Sequence, residues 1–328
     1  MAGRSSRSGG NSNERIQLLV EQKLGDDLQY EALQLYRGVV SRKSARGKDN
    51  AALTIAEQGI GVLLARGYAD SATELGNVLV GILNDHELPV TEERLELIKR
   101  VNAKYEDAKR AAVLAEEDRR TAAQEGQGGV GEVEEGKEAG RGMYSVGVLQ
   151  GRFLKLAVAW TAARGQRLSG DPGLCGLLGR CLWNEGDLER GTRYLVLGER
   201  PQELCDLILQ DVSDANAREL AVAKSVLQFA SKASLRDANA LLAAYKTQTG
   251  GKQPTKGMLG FCAMLLKTCE YDATPVFQKL LDAYQADLSK DEALFGSVES
   301  IAMTYFNLRL RPPSMLDNIM GMLGGMPK

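Results

Sequence analysis

Between Gly170 and Gly198 the chain reads GDPGLCGLLGRCLWNEGDLERGTRYLVLG, and this stretch limits the possible folds more than any other. Asp171 before Pro172 is a helix start. The carboxylate accepts from an amide N–H that the first turn leaves unpaired, and proline at the first helical position lacks a donor that has no helical partner anyway. The spacing predicts a helix over 172–184. Glu185-Gly186-Asp187 then ends it and caps a second helix, whose apolar face is Leu188, Tyr194, Leu195 and Leu197. Gly186-Asp187-Leu188 followed by Gly191 has the grammar of a tetratricopeptide-type turn: a glycine, a large residue, and three positions on a small residue where two helices touch.

The grammar returns in looser form. Gly25-Asp26 leads into Tyr30-Glu31-Ala32-Leu33, Gly67-Tyr68 into Ser71-Ala72-Thr73-Glu74-Leu75, and Ser234-Leu235 into Ala238, Leu241, Leu242 and Tyr245. One helical hairpin cannot bury its apolar face alone, whereas stacked hairpins can. The expected fold is therefore all-α, an α-solenoid of tetratricopeptide-like hairpins with a flexible charged insertion. Composition agrees: 44% of the 328 residues are hydrophobic but only 5% aromatic, which suits helix-on-helix packing.

Read in order, residues 1–13 are small, polar and basic and are expected to be disordered. Residues 14–103 form an N-terminal solenoid half, with helices over 49–65 and 69–83 and another starting after Pro89. Residues 104–142 turn charged and alanine-rich, then glycine- and glutamate-rich. They read as a solvated insertion whose removal leaves the fold standing. Residues 143–310 form the C-terminal half, with helices over 214–230, 234–245, 258–269, 274–284 and 291–308, and a loop or short hairpin over 249–257. In the tail, 311–328, Met315, Leu316, Ile319, Met320 and Leu323 share one helical face. That face either folds back to cap the solenoid, or docks a partner or stays mobile.

Several function classes are disfavoured. Net charge is −2 with both signs mixed, so no basic stripe marks a nucleic-acid surface. No apolar run approaches the ~18 residues of a membrane span, and no secretory signal opens the chain, which points to the cytosol. Cys175, Cys181, Cys205, Cys262 and Cys269 are odd in number and form no CxxC pair, so they read as small buried hydrophobes, neither disulfides nor zinc ligands. There is no phosphate-binding GxxxxGK[ST] loop. The single histidine, His86, sits at a helix end with nothing beside it in sequence to build a Ser-His-Asp triad, and reads as a surface residue. Acidic pairs such as Asp26/Asp27, Glu92/Glu93 and Glu116/Glu117 are better explained by capping and solvation than by acid–base catalysis. No catalytic residue, metal or cofactor is expected.

Four stretches carry a resemblance to a known family. They are Glu21-Gln22-Lys23-Leu24 with Tyr30-Glu31-Ala32-Leu33-Gln34 and Arg37; Ser71-Ala72-Thr73-Glu74-Leu75; Gly170-Asp171-Pro172 through Leu197-Gly198; and Phe306 through Pro312-Pro313 to Met322-Leu323-Gly324-Gly325. Together they resemble the Golgi-to-ER traffic protein 4 family, the α-solenoid adaptor of tail-anchored protein delivery. The match spans about residues 14–103 and 143–325, and 104–142 has no family counterpart. Leu33 stands where the family often has histidine, and Gln29 replaces an aromatic residue beside Tyr30.

The resemblance implies a division of labour. The N-terminal helices would bind the homodimeric targeting ATPase, Golgi-to-ER traffic protein 3, at Lys23, Tyr30, Arg37 and Glu74. Tyr30 has a second reading, as a residue packed within its own hairpin. The C-terminal half would hold a ubiquitin-like protein, Golgi-to-ER traffic protein 5, near Phe261, Leu265, Phe277, Tyr284 and Phe306. Most of these five have the spacing of ordinary core. In animals a large proline-rich co-chaperone also docks on the family. Two rival readings fit the same helical pattern: a tetratricopeptide adaptor for acidic chaperone tails, drawing on Arg37, Arg66 and Arg193, and a helical-repeat subunit of another large complex.

Overall fold

The computed structural model describes residues 10–26, 28–125, 136–250 and 257–311, with side chains described over 18–26, 28–121, 146–250 and 257–311. Fourteen α-helices and no strand occur among these residues. Expectations for 1–9, 126–135, 251–256 and the tail 312–328 lie outside the described residues. Contacts divide the chain into two compact units, Met1–Tyr194 and Leu195–Lys328.

The first unit holds α1 (Gly10–Gly25), α2 (Gln29–Ser44), α3 (Asp49–Ala65), α4 (Ala69–Asp85), α5 (Glu92–Glu125), α6 (Gly136–Arg164), α7 (Pro172–Asn184) and most of α8 (Leu188–Leu197). The second holds α9 (Pro201–Asp211), α10 (Ala215–Ser231), α11 (Leu235–Thr249), α12 (Gly257–Glu270), α13 (Thr274–Leu288) and α14 (Glu292–Phe306). The opening hairpin forms as its residues require. The Asp171 carboxylate accepts from the Leu174 amide at 2.9 Å, and Pro172 occupies the first position of α7. Gly186 turns the chain at φ 84°, a conformation that a side chain disfavours. Asp187 then caps α8 by accepting from the Arg190 amide at 3.2 Å. At Gly191 the helices touch: a Cβ there would lie 3.0 Å from the Trp183 nitrogen and 3.2 Å from the Gly179 carbonyl oxygen.

The charged stretch after residue 103 is not where the fold divides. Helix α5 runs unbroken through Glu125, and one stripe of its first half, Leu97, Ile98, Val101 and Tyr105, is buried in the core. Tyr105 is fully buried, stacks on Phe153 of α6 with ring centroids 5.9 Å apart, and shares a 2.8 Å hydrogen bond with Thr73 of α4. Burial pushes its phenol up to about 12. Gln150 of α6 donates to Asn102 at 2.7 Å and to Glu106 at 2.6 Å. Residues on both sides of the insertion thus share one core, and excising 104–142 would remove part of it. Beyond Tyr105 the helix is held on its surface by close pairs in sequence, Lys109–Glu106, Arg110–Asp107 and Arg120–Glu116. Residues 10–13 and 136–142, expected as a disordered arm and linker, form the opening turns of α1 and α6. Extending an existing helix costs far less than nucleating one.

Glu57 of α3 ties the second hairpin to α5. Its carboxylate, little exposed, accepts from Arg100 at 2.8 and 2.9 Å and lies 3.3 Å from the Lys104 ammonium. The Arg100 hydrogen bonds hold it below the ordinary value of 4.5, against the opposing effect of burial. A carboxyl lowered in the folded state adds stability that is complete above its ordinary value and disappears as pH falls through the lowered one. Glu57→Gln is therefore expected to cost about 2 kcal/mol near neutrality, with the gap from the parent closing in acid. A variant gap unchanged by pH in urea titrations would remove Glu57 from the acid response.

Candidate partner-binding surfaces

Three of the four N-terminal candidates, Tyr30, Arg37 and Glu74, are exposed, and Lys23 is part-exposed. Tyr30 and Arg37 lie seven residues apart on α2, two turns along the same stripe, about 10.5 Å by helical rise. Tyr30 is 67% exposed, so it is not packed within its hairpin. Lys23, at the end of α1, pairs with Glu31 at 2.6 Å, and that hydrogen bond raises the lysine above its ordinary value. Arg37 pairs across to Glu74 of α4 at 3.4 Å. The two departures from the family pattern part company here: Leu33 is buried in the core, whereas Gln29 is exposed beside Tyr30. Leu18, Leu19 and Leu28 are also exposed nearby in sequence, which apolar periodicity alone would have assigned to the core. Two ion pairs around exposed apolar side chains make a surface suited to orientation and fast, salt-sensitive encounter.

The five C-terminal candidates behave differently. Phe261 and Leu265 of α12 and Phe277 of α13 are fully buried, and Phe306 of α14 is nearly so. Phe277 stacks on Phe306 with centroids 4.4 Å apart, and Phe261 lies 5.1 Å from the Tyr284 ring. Only Tyr284 is part-exposed. These residues are the core of the second unit. The large apolar side chains most exposed in the same helices and the turn between them include Met264, Tyr271, Val276 and Met303. They sit off the buried stripes, a distinction that periodicity draws only once the buried face of each helix is known.

One arrangement was invisible in sequence. His86, which follows α4, places Nδ1 2.8 Å from the Asp49 carboxylate and Nε2 3.3 Å from the Ser44 hydroxyl. Ser and Asp do therefore stand beside the single histidine, contrary to expectation. The Ser44 hydroxyl also donates to Asp49 at 3.1 Å, and Ser44 is only 7% exposed. The hydroxyl is thus engaged by the carboxylate and closed off from a substrate. The trio joins the end of α2, the start of α3 and the end of α4.

The five cysteines are buried free thiols. Burial pushes Cys175 and Cys205 up to about 11 and Cys181 and Cys269 to about 12, which suppresses the reactive thiolate. No group of three or more potential metal ligands occurs among the described residues, and no described helix is long and apolar enough to cross a membrane. Arg193 lines a groove against α6 and α7 in which neither Arg37 nor Arg66 takes part.

A family model described as "GET4: Golgi to ER traffic protein 4" matches residues 46–326. The chain is 26% identical over 305 residues to "Protein GET4" of Arabidopsis thaliana, covering 90% of this chain and 91% of that protein. It is 23% identical over 334 residues to "Golgi to ER traffic protein 4 homolog" of Homo sapiens, covering 98% and 89%. Among solved structures, "Crystal structure of C. therm. Get4" superposes with a TM-score of 0.70 at 22% identity and 96% coverage of both chains.

Proposed function

Because the chain belongs to the Golgi to ER traffic protein 4 family, we propose that it is a non-catalytic cytosolic adaptor in the post-translational delivery of tail-anchored membrane proteins to the ER. Its N-terminal helices hold a targeting ATPase, and its C-terminal helices hold a ubiquitin-like partner that recruits client-bearing chaperones. Tethering both raises the local concentration of client at the ATPase without new chemistry. It also favours one ATPase conformation to the extent that it binds that conformation more tightly. The observation that supports the reading best is that Tyr30, 67% exposed, shares a stripe of α2 with Arg37, which pairs across to Glu74 of α4.

The Arg37–Glu74 pair supplies a test that separates partner recognition from internal stability. R37E or E74R alone breaks the pair, whereas R37E/E74R rebuilds it with the charges exchanged. Pull-down and titration calorimetry against a targeting ATPase are expected to show about tenfold weaker binding for the double variant, since exposed ion pairs contribute modestly one by one but a reversed pattern repels the partner. Ubiquitin-like partner binding stays at the parental level. Recovery of parental ATPase binding in the double variant would reduce the pair to an internal contact.

A further inference from the structure

We propose that the groove formed by α6, α7 and α8 docks an acidic linear peptide carrying apolar anchors, a partner surface separate from the N-terminal face and from the second unit. The groove encloses about 460 Å³ and lies within the first unit. Val148, Arg152 and Lys155 form one wall from a single stripe of α6, Leu182 of α7 lines it between, and Arg193 and Tyr194 come from α8. Arg152, Lys155 and Arg193 are exposed and have no ion-pair partner among the described residues, while the neighbouring Arg190 is neutralised by Asp187. Val148 is 45% exposed beside them.

The charge is concentrated by how the helices meet. Gly147 lets the Glu185 side chain lie against α6; a Cβ there would fall 1.7 Å from a Glu185 carboxylate oxygen. Burial raises the Glu185 carboxyl above its ordinary value, partly offset by Lys109. Three unpaired cations lining one groove repel one another, and an anion between them relieves that repulsion.

The spacing favours a peptide. Residues 148 to 155 span about 10.5 Å along α6, close to three residues of extended chain at about 3.3 Å each. Within that length Arg152 and Lys155 lie about 4.5 Å apart by helical rise, so closely spaced carboxylates of the peptide meet both heads while its apolar side chains rest on Val148, Leu182 and Tyr194. A nucleic-acid backbone gains nothing from those apolar contacts.

The test uses the full chain and a fluorescein-labelled peptide of repeated Glu-Glu-Leu units, read by anisotropy. Saturable binding is expected, weaker for Glu-Glu-Ser repeats and absent for Lys-Lys-Leu repeats. R152E/K155E/R193E is expected to weaken binding about tenfold or more, as the loss of three exposed charge pairs predicts. R42E/R46E/K48E, which changes net charge equally at an exposed site elsewhere, stays within about twofold of the parent. R193Q alone, expected to weaken binding about threefold, keeps the test decisive if the triple variant does not fold. Three outcomes would overturn the proposal: no saturable binding of Glu-Glu-Leu repeats, equal loss in the two triple variants, or oligothymidylate binding as tightly as the peptide.

Discussion

Replacing Tyr105 by alanine is expected to lower the unfolding free energy by about 3–5 kcal/mol, the usual cost of removing a large buried aromatic side chain. The residue is fully buried, its ring stacks on Phe153, and its hydroxyl is bonded to Thr73. The cavity would open where α4, α5 and α6 meet. Tyr105→Phe keeps the ring and loses only the hydrogen bond, so about 1 kcal/mol is expected. Urea titrations followed by circular dichroism read both values. A loss below about 1 kcal/mol for the alanine variant would mean that α5 peels away at this point and that the division suggested by composition was right. The large value would establish that the residues flanking the insertion form one cooperative core.

Gly191→Val is the second large effect. The new Cβ meets the Trp183 nitrogen at 3.0 Å and Cα at 3.1 Å, and the Gly179 carbonyl oxygen at 3.2 Å. All three are backbone atoms, so no side-chain rotation clears the space. Alanine requires a shift of a few tenths of an ångström, whereas valine adds two further methyl groups against α7. Overpacking of this kind costs about 1–3 kcal/mol. It also pushes α8 outward, carrying Arg193 and Tyr194 away from α6, so acidic-peptide binding should fall together with the melting temperature. Valine tolerated within about 0.5 kcal/mol would show that α7 and α8 do not approach closely in solution.

The helices were legible because their signals are local. Asp171, Asp214 and Asp291 each cap the helix that follows, and each carboxylate accepts from an amide two or three residues on. Gly186 and Gly191 announced a turn and a close helix contact from their place in a short motif. The N-terminal face was reached by family resemblance, because nothing in local spacing connects Arg37 to Glu74. The C-terminal aromatic residues show the limit of periodicity. An apolar stripe has the same spacing whether it faces a core or a partner, and Phe261, Leu265, Phe277 and Phe306 proved to be core.

What the sequence determined by itself is the hairpin repertoire: which segments are helical, where they start and turn, and that no hairpin can bury its apolar face alone. These follow from hydrogen bonds and side-chain spacing within a few residues. The tertiary structure alone decided that Tyr105 belongs to the core despite its charged surroundings. It also decided that His86 meets Asp49 and Ser44, and that Arg152 and Lys155 line a groove with Arg193. Each of these joins residues 37 or more positions apart or on different helices. Such meetings are set by the angle and depth at which whole helices pack, and packing depends on every side chain in the interface at once.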